Sequence, residues 1–139
     1  MTALTRFFFR HDVTCRTPAS IIGWWEARRL PYNVAVGATG LVTLSVMHLL
    51  SRLPPAPLPM PLDFSLFGAL VYGTMANLCY TSGWMAEIVI RRSGGGELEP
   101  VGPALFRYGF AFSIGLTLVP AALMVMWKAA RVLDWIGLF

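Results

Sequence analysis

Charge is scarce in this chain. Only 13% of its residues are Asp, Glu, Lys or Arg, about half the share of an ordinary soluble domain. Seven acidic residues and two histidines supply no paired-carboxylate constellation, no Cys/His set at metal-ligand spacing and no nucleophile beside a base. That argues against an enzyme. The two cysteines, Cys15 in the N-terminal segment and Cys79 inside an apolar stretch, speak against a disulfide framework. A net charge of +4 is low for a nucleic-acid binder. Gly94-Gly95-Gly96 lacks the Lys and the following Ser or Thr of a phosphate-binding loop, so these glycines read as a hinge. Met1–Thr17 carries Arg6, Arg10, His11, Asp12 and Arg16 and no long apolar run, unlike a secretory signal. No long internal repeat is visible.

What the chain has instead is apolar length. Asn33 to Leu50, Phe64 to Ile90 and Ala104 to Trp127 account for half of it, within a composition that is 56% apolar. Each matches or exceeds the roughly 18–20 residues that span a bilayer at a rise of about 1.5 Å per residue. The remainder is too short and too interrupted for a separate soluble domain. The expected fold is therefore all-α and integral to a membrane, as one domain with three transmembrane helices. Interfacial helices are expected before the first span and after the third.

Charge position orients these spans. Arg6, Arg10, Arg16, Arg28 and Arg29 precede the first, and Arg91, Arg92 and Arg107 flank the connection between the second and third. Only Arg52, Lys128 and Arg131 fall on the other side. The asymmetry predicts a cytoplasmic N-terminus and an outer C-terminus.

The segments follow from local chemistry. Residues 1–17 read as a basic cytoplasmic tail whose Phe7-Phe8-Phe9 suits a headgroup layer or a disordered tail equally. Thr17-Pro18 reads as an N-cap and first helical residue, opening an interfacial helix over 18–30 that Pro31 interrupts. This helix would offer Ile21, Ile22, Trp24 and Trp25 to lipid and Glu26, Arg28 and Arg29 to water. The first span covers 33–50. Pro54, Pro55, Pro57, Pro59 and Pro61 then make 51–62 a stiff outer loop. The second span, 64–90, is the most polar, with Tyr72, Thr74, Asn77, Tyr80, Thr81, Ser82 and Glu87. A flexible cytoplasmic loop occupies 91–102. The third span, 104–127, is expected to kink at Pro120, and 128–139 to continue along the outer interface.

Small or weakly polar residues at four-residue spacing let helix backbones approach closely in lipid. Ala35, Thr39 and Thr43 form such a face in the first span. Ala69, Gly73, Asn77 and Thr81 form one in the second, and Ala111 and Gly115 in the third. These are the expected helix-packing and partner-binding positions. Trp24, Trp25, Arg28, Arg29, Arg91, Arg92 and Trp127 are expected membrane-interface anchors. Glu87 stands one turn before Arg91, as an i,i+4 pair or a buried relay carboxylate. His48 is the single intramembrane imidazole, so it is the candidate axial ligand if haem or chlorophyll binds. No cofactor or metal is required by the sequence.

Trp24-Trp25-Glu26-Ala27-Arg28-Arg29-Leu30-Pro31-Tyr32-Asn33 and Asn77-Leu78-Cys79-Tyr80-Thr81-Ser82-Gly83-Trp84 resemble segments of small bacterial three-helix inner-membrane proteins that are uncharacterised. The resemblance implies no activity, cofactor or catalytic residue. The missing catalytic set, the small mass outside the lipid and the several packing faces instead make a non-catalytic accessory subunit of a larger bacterial membrane complex the expected function. Such a subunit would assemble or stabilise a respiratory, photosynthetic or transport complex. Its partners would be other integral membrane proteins and lipid, with a hetero-oligomer favoured over a homo-oligomer and no nucleic acid. The alternative is a small homo-oligomeric transporter or channel with a polar path along the second span.

Overall fold

The computed structural model describes residues 17–54, 62–94 and 101–137, with side chains for all of these except 62–66. The basic tail with Phe7–Phe9, most of the proline-rich loop and most of the glycine-rich loop lie outside the described residues. Among those described, the secondary structure is three α-helices: α1 (Pro18–Arg52), α2 (Leu62–Ser93) and α3 (Gly102–Trp135). The chain is all-α.

The helix ends follow from their sequences. Thr17 caps α1: its Oγ1 accepts from the Ser20 amide at 3.3 Å, its carbonyl accepts from Ile21, and Pro18 is the first helical residue. Arg91 and Arg92 complete the last turn of α2, where cations face the negative end of the helix dipole. Gly137 stops α3 with φ of +74°, a backbone conformation that suits glycine.

Pro31 does not end a helix. α1 runs unbroken through it over 35 residues in all, so the separate interfacial helix expected over 18–30 is the opening segment of one long helix. The missing amide costs the one backbone bond to the Ala27 carbonyl, a turn back, while side chains bond two carbonyls further up the same helix. Arg28 Nη1 donates to the Trp24 carbonyl at 2.8 Å, and the Tyr80 hydroxyl donates to that of Trp25. Likewise Pro120 sits inside α3, which continues through 128–135 as the same element rather than starting a new one.

α1 and α3 are long and apolar enough to cross a membrane, and only 17% of the most apolar stretch of each is buried, unlike the core helix of a soluble protein. At about 1.5 Å per residue they measure about 50 Å, well over the roughly 30 Å of hydrocarbon. Among the described residues only α1 and α3 meet that test; α2 carries the polar Tyr72, Thr74, Asn77, Tyr80, Thr81 and Ser82 along its length.

The chain divides into two compact units. Unit 1 contains residues up to Val34 and Thr74–Ser113; unit 2 contains Ala35–Gly73 and the chain from Ile114 onward. Each helix thus gives one segment to each unit.

Candidate functional site

Unit 1 is built from three stripes at helical spacing. α1 buries Ile21, Trp25, Arg28 and Tyr32; α2 buries Ala76, Tyr80 and Glu87; α3 buries Gly102, Phe106 and Ser113. The rings interlock. Trp25 meets Tyr80 and Phe106 edge-on at centroid distances of 5.3 and 5.8 Å, Tyr32 lies 4.7 Å from Tyr80, and Phe106 stacks on Phe110 at 5.9 Å. Such pairs contribute about 0.5–1.5 kcal/mol each beyond the area they bury.

Glu87 closes this cluster with 0% exposure. Trp25 Nε1 donates to its Oε2 at 2.8 Å, and Arg91 Nε stands 3.7 Å from Oε1. The carboxylate is pressed against Gly102, the first residue of α3, so tightly that a β-carbon there would come within 2.9 Å of all three carboxylate atoms. An anion at this helix start is also favoured by the dipole. The glycine is therefore required for space. Gly83 plays the same part on α2, since a β-carbon would lie 2.7 Å from the Trp25 ring.

Polar side chains of α2 in this unit are engaged within the protein. Asn33 Nδ2 donates to Asn77 Oδ1 at 3.2 Å, Arg29 Nη2 donates to Thr81 Oγ1 at 3.2 Å, and Tyr32 and Ser113 share a 2.8 Å hydrogen bond. A cavity of about 160 Å³ remains among Trp25, Tyr32, Tyr80, Phe106 and Phe110, with Cys79 at its wall.

Unit 2 is held by hydroxyls. Thr43 Oγ1 donates to the Thr117 carbonyl at 2.9 Å, and Tyr72 and Thr117 hydroxyls pair at 2.6 Å. Lys128, 5% exposed, donates from Nζ to the Leu53 carbonyl at 2.7 Å, just past the end of α1. An apolar cleft of about 280 Å³ opens beside the hydroxyls, between Gly40, Met47, Gly68, Ala69, Leu116 and Pro120.

The expected site residues separate accordingly. Thr43, Asn77 and Thr81 do bond to another helix. Thr39 bonds back to the Ala35 carbonyl of its own helix. Ala69, Ala111 and Gly115 are exposed, and a β-carbon at Gly73 or Gly115 would meet nothing within 4 Å, so neither glycine is a close approach between helices of this chain. Trp25 and Ile21 do not face outward. Trp25 is 3% exposed inside the aromatic cluster, while Trp24 is half-buried beneath Arg28, whose guanidinium lies 3.8 Å from its ring centroid. Arg28 is buried rather than turned to water; Arg29 and Arg91 are half-buried, Arg92 exposed and Trp127 partly exposed. Glu87 and Arg91 do form the i,i+4 pair.

No family model matches this chain, and neither curated proteins nor solved structures give a match. The likeness carried by Trp24–Asn33 and Asn77–Trp84 thus stands on those residues alone. Among the described residues no three His, Cys, Asp or Glu gather where they could hold a metal. His48 is exposed on α1 and lines neither cavity. Nothing local in the sequence singles out the aromatic cluster, Ser113 or Thr117 as joint contributors. In sequence their only signal is spacing: Gly102, Phe106, Phe110, Ser113 and Thr117 recur every three or four residues.

Proposed function

We propose that this chain is a non-catalytic accessory subunit of a larger bacterial inner-membrane complex, spanning the bilayer three times with its N-terminus in the cytoplasm. The observation that carries the reading is the outer surface. Leu41, Leu49, Phe112, Leu123 and Met126 stand exposed on α1 and α3, and Phe67, Leu70, Leu78 and Val89 on α2. Apolar surface this continuous belongs against lipid or another protein. Exposed Ser45 and Ser82 support it too, since each hydroxyl donates to a carbonyl of its own helix and needs no water. The 32 residues of α2 and its exposed apolar face support reading it as the third span despite its polar content.

Both cores are occupied by bonds within the chain. Asn77, Tyr80, Thr81 and Tyr72, which a polar pathway would need, are already engaged with Asn33, Trp25, Arg29 and Thr117. This favours a scaffold over a transporter. Affinity purification in mild detergent with mass spectrometry should return stoichiometric integral membrane partners, and native gels a hetero-complex. A fluorescent reporter that matures only in the cytoplasm should stay dark when fused after Phe139. A homo-oligomer with solute flux in liposomes would replace this reading with the transporter.

A further inference from the structure

We propose that the unit 2 cleft seats an acyl chain of an anionic phospholipid whose phosphate meets Arg131 beside Trp127; this rests on the membrane reading above. The cleft, about 280 Å³, has nearly twice the volume of an apolar cavity of about 150 Å³ known to take up benzene. Its wall is hydrocarbon in character, because its hydroxyls are committed: Thr43 to the Thr117 carbonyl, and Tyr72 and Thr117 to each other. An occupant that brought its own hydrogen-bonding groups would leave them unsatisfied. A hydrocarbon chain brings none. The floor is open as well, since a β-carbon at Gly68 would meet nothing within 4 Å and one at Gly40 only a Thr117 methyl at 3.9 Å.

The source of that chain follows from α3. Leu116, Pro120, Leu123, Trp127 and Arg131 recur at three- and four-residue steps and so form one face that leads away from the cleft. Leu123 and Trp127 are exposed along it, and the Arg131 guanidinium lies 5.8 Å from the Trp127 ring. Among the described residues no carboxylate pairs with Arg131. From Pro120 to Arg131 the helix rises about 16 Å, close to the roughly 15 Å depth of one hydrocarbon leaflet. A chain lying in the cleft therefore has its phosphate at the level of Arg131. An aromatic ring and a free cation there match an anionic headgroup.

The test uses the full chain in vesicles of equal phosphatidylcholine and phosphatidylglycerol, with a trace of phosphatidylglycerol carrying a photoreactive group midway along one acyl chain. Adducts mapped by mass spectrometry should concentrate on Met47 and Leu116. Gly68→Leu, which fills the cleft from its floor, should lower that labelling about tenfold; Ala69→Leu fills it from the rim and repeats the measurement if Gly68→Leu loses helicity by circular dichroism. Arg131→Gln should lower labelling by phosphatidylglycerol about fivefold, the weight of one basic residue at an anionic surface. It should leave labelling by the matching phosphatidylcholine probe unchanged. Adducts spread evenly over the exposed faces, or labelling indifferent to the filling variants, overturn the site. Displacement by a long-chain prenyl alcohol but not by unlabelled phosphatidylglycerol overturns the phospholipid assignment, as does a cleft left unlabelled and cross-linked to another protein. Alkaline carbonate extraction of the same sample separates the two claims. Release into the supernatant defeats the membrane reading itself, whereas retention with unchanged labelling defeats only the lipid site.

Discussion

Unit 1 joins its helices through large rings packed around one carboxylate, and unit 2 through the Thr43 hydroxyl donated to the Thr117 carbonyl and the paired hydroxyls of Tyr72 and Thr117. Both are internal contacts of the same three helices, yet their energetics differ. A buried Trp or Phe contributes several kcal/mol through area and dispersion, and a buried carboxylate is tolerated only while its donors stay in place. A hydroxyl bond within a membrane helix pair contributes about 0.6 kcal/mol on average. The ring-built unit therefore demands close fit and leaves a cavity of about 160 Å³, whereas the hydroxyl-built unit leaves a wider cleft of about 280 Å³. Interlocked rings fill the first, and the second keeps the larger open space.

Removing the carboxylate should break that contrast most visibly. Glu87→Leu strands the Trp25 indole N–H and the Arg91 guanidinium, which together with the lost pair should cost about 3–5 kcal/mol. An SDS titration followed by circular dichroism reads it, and Glu87→Gln, which keeps an acceptor for Trp25, should cost distinctly less. Equal losses for Leu and Gln would mean that packing rather than charge holds this site. Gly83→Ala comes next: its β-carbon meets the Trp25 ring at 2.7 Å, and overpacking of this kind costs about 1–3 kcal/mol. A shift in tryptophan emission should accompany it. In unit 2, Thr43→Val keeps the shape but drops the bond to the Thr117 carbonyl, for about 1 kcal/mol in the same titration. A loss as large as that of Glu87→Leu would erase the distinction between the units.

The smallest expected effect is at Gly73. With open space around it, Gly73→Leu should change the stability of the isolated chain by less than about 0.5 kcal/mol. If the variant is stable alone but falls out of the hetero-complex in native gels, Gly73 lies on a partner-facing surface. If complex formation is unaffected, that position faces lipid.

The sequence made the helices legible because their lengths and the Thr17-Pro18 start are local properties. It misplaced the break at Pro31, where the local rule for proline is outweighed by an aromatic cluster that ties flanking Trp25 and Tyr32 to Tyr80 and Phe106, distant in sequence. It also misjudged adjacent Trp24 and Trp25, which share a composition but point about 100° apart on a helix, so that one is half-buried and the other enclosed. The Glu87–Arg91 pair was readable from its spacing, but the Trp25 donor, 62 residues away in sequence, was not. Four-residue spacing of small residues found Thr43 and Asn77 but also Gly73 and Gly115, since apolar residues surround each helix on every side and give the buried stripe no contrast in hydropathy. Close approach occurs instead at Gly83 and Gly102, where a large neighbour and not a periodic motif demands the glycine.

The bond from Lys128 to the Leu53 carbonyl spans 75 positions of sequence, and this gives the finished protein a clock. During synthesis at roughly 5–20 residues per second, the residue that completes the end of α1 appears about 4–15 s after the carbonyl it serves. For that interval the end of α1 is open, and any chaperone, lipid headgroup or partner helix present competes for it. A ribosome stalled before Lys128 would leave α3 unfinished and the end of α1 without its donor, so ending the chain at Trp127 should hand a half-sealed protein to quality control.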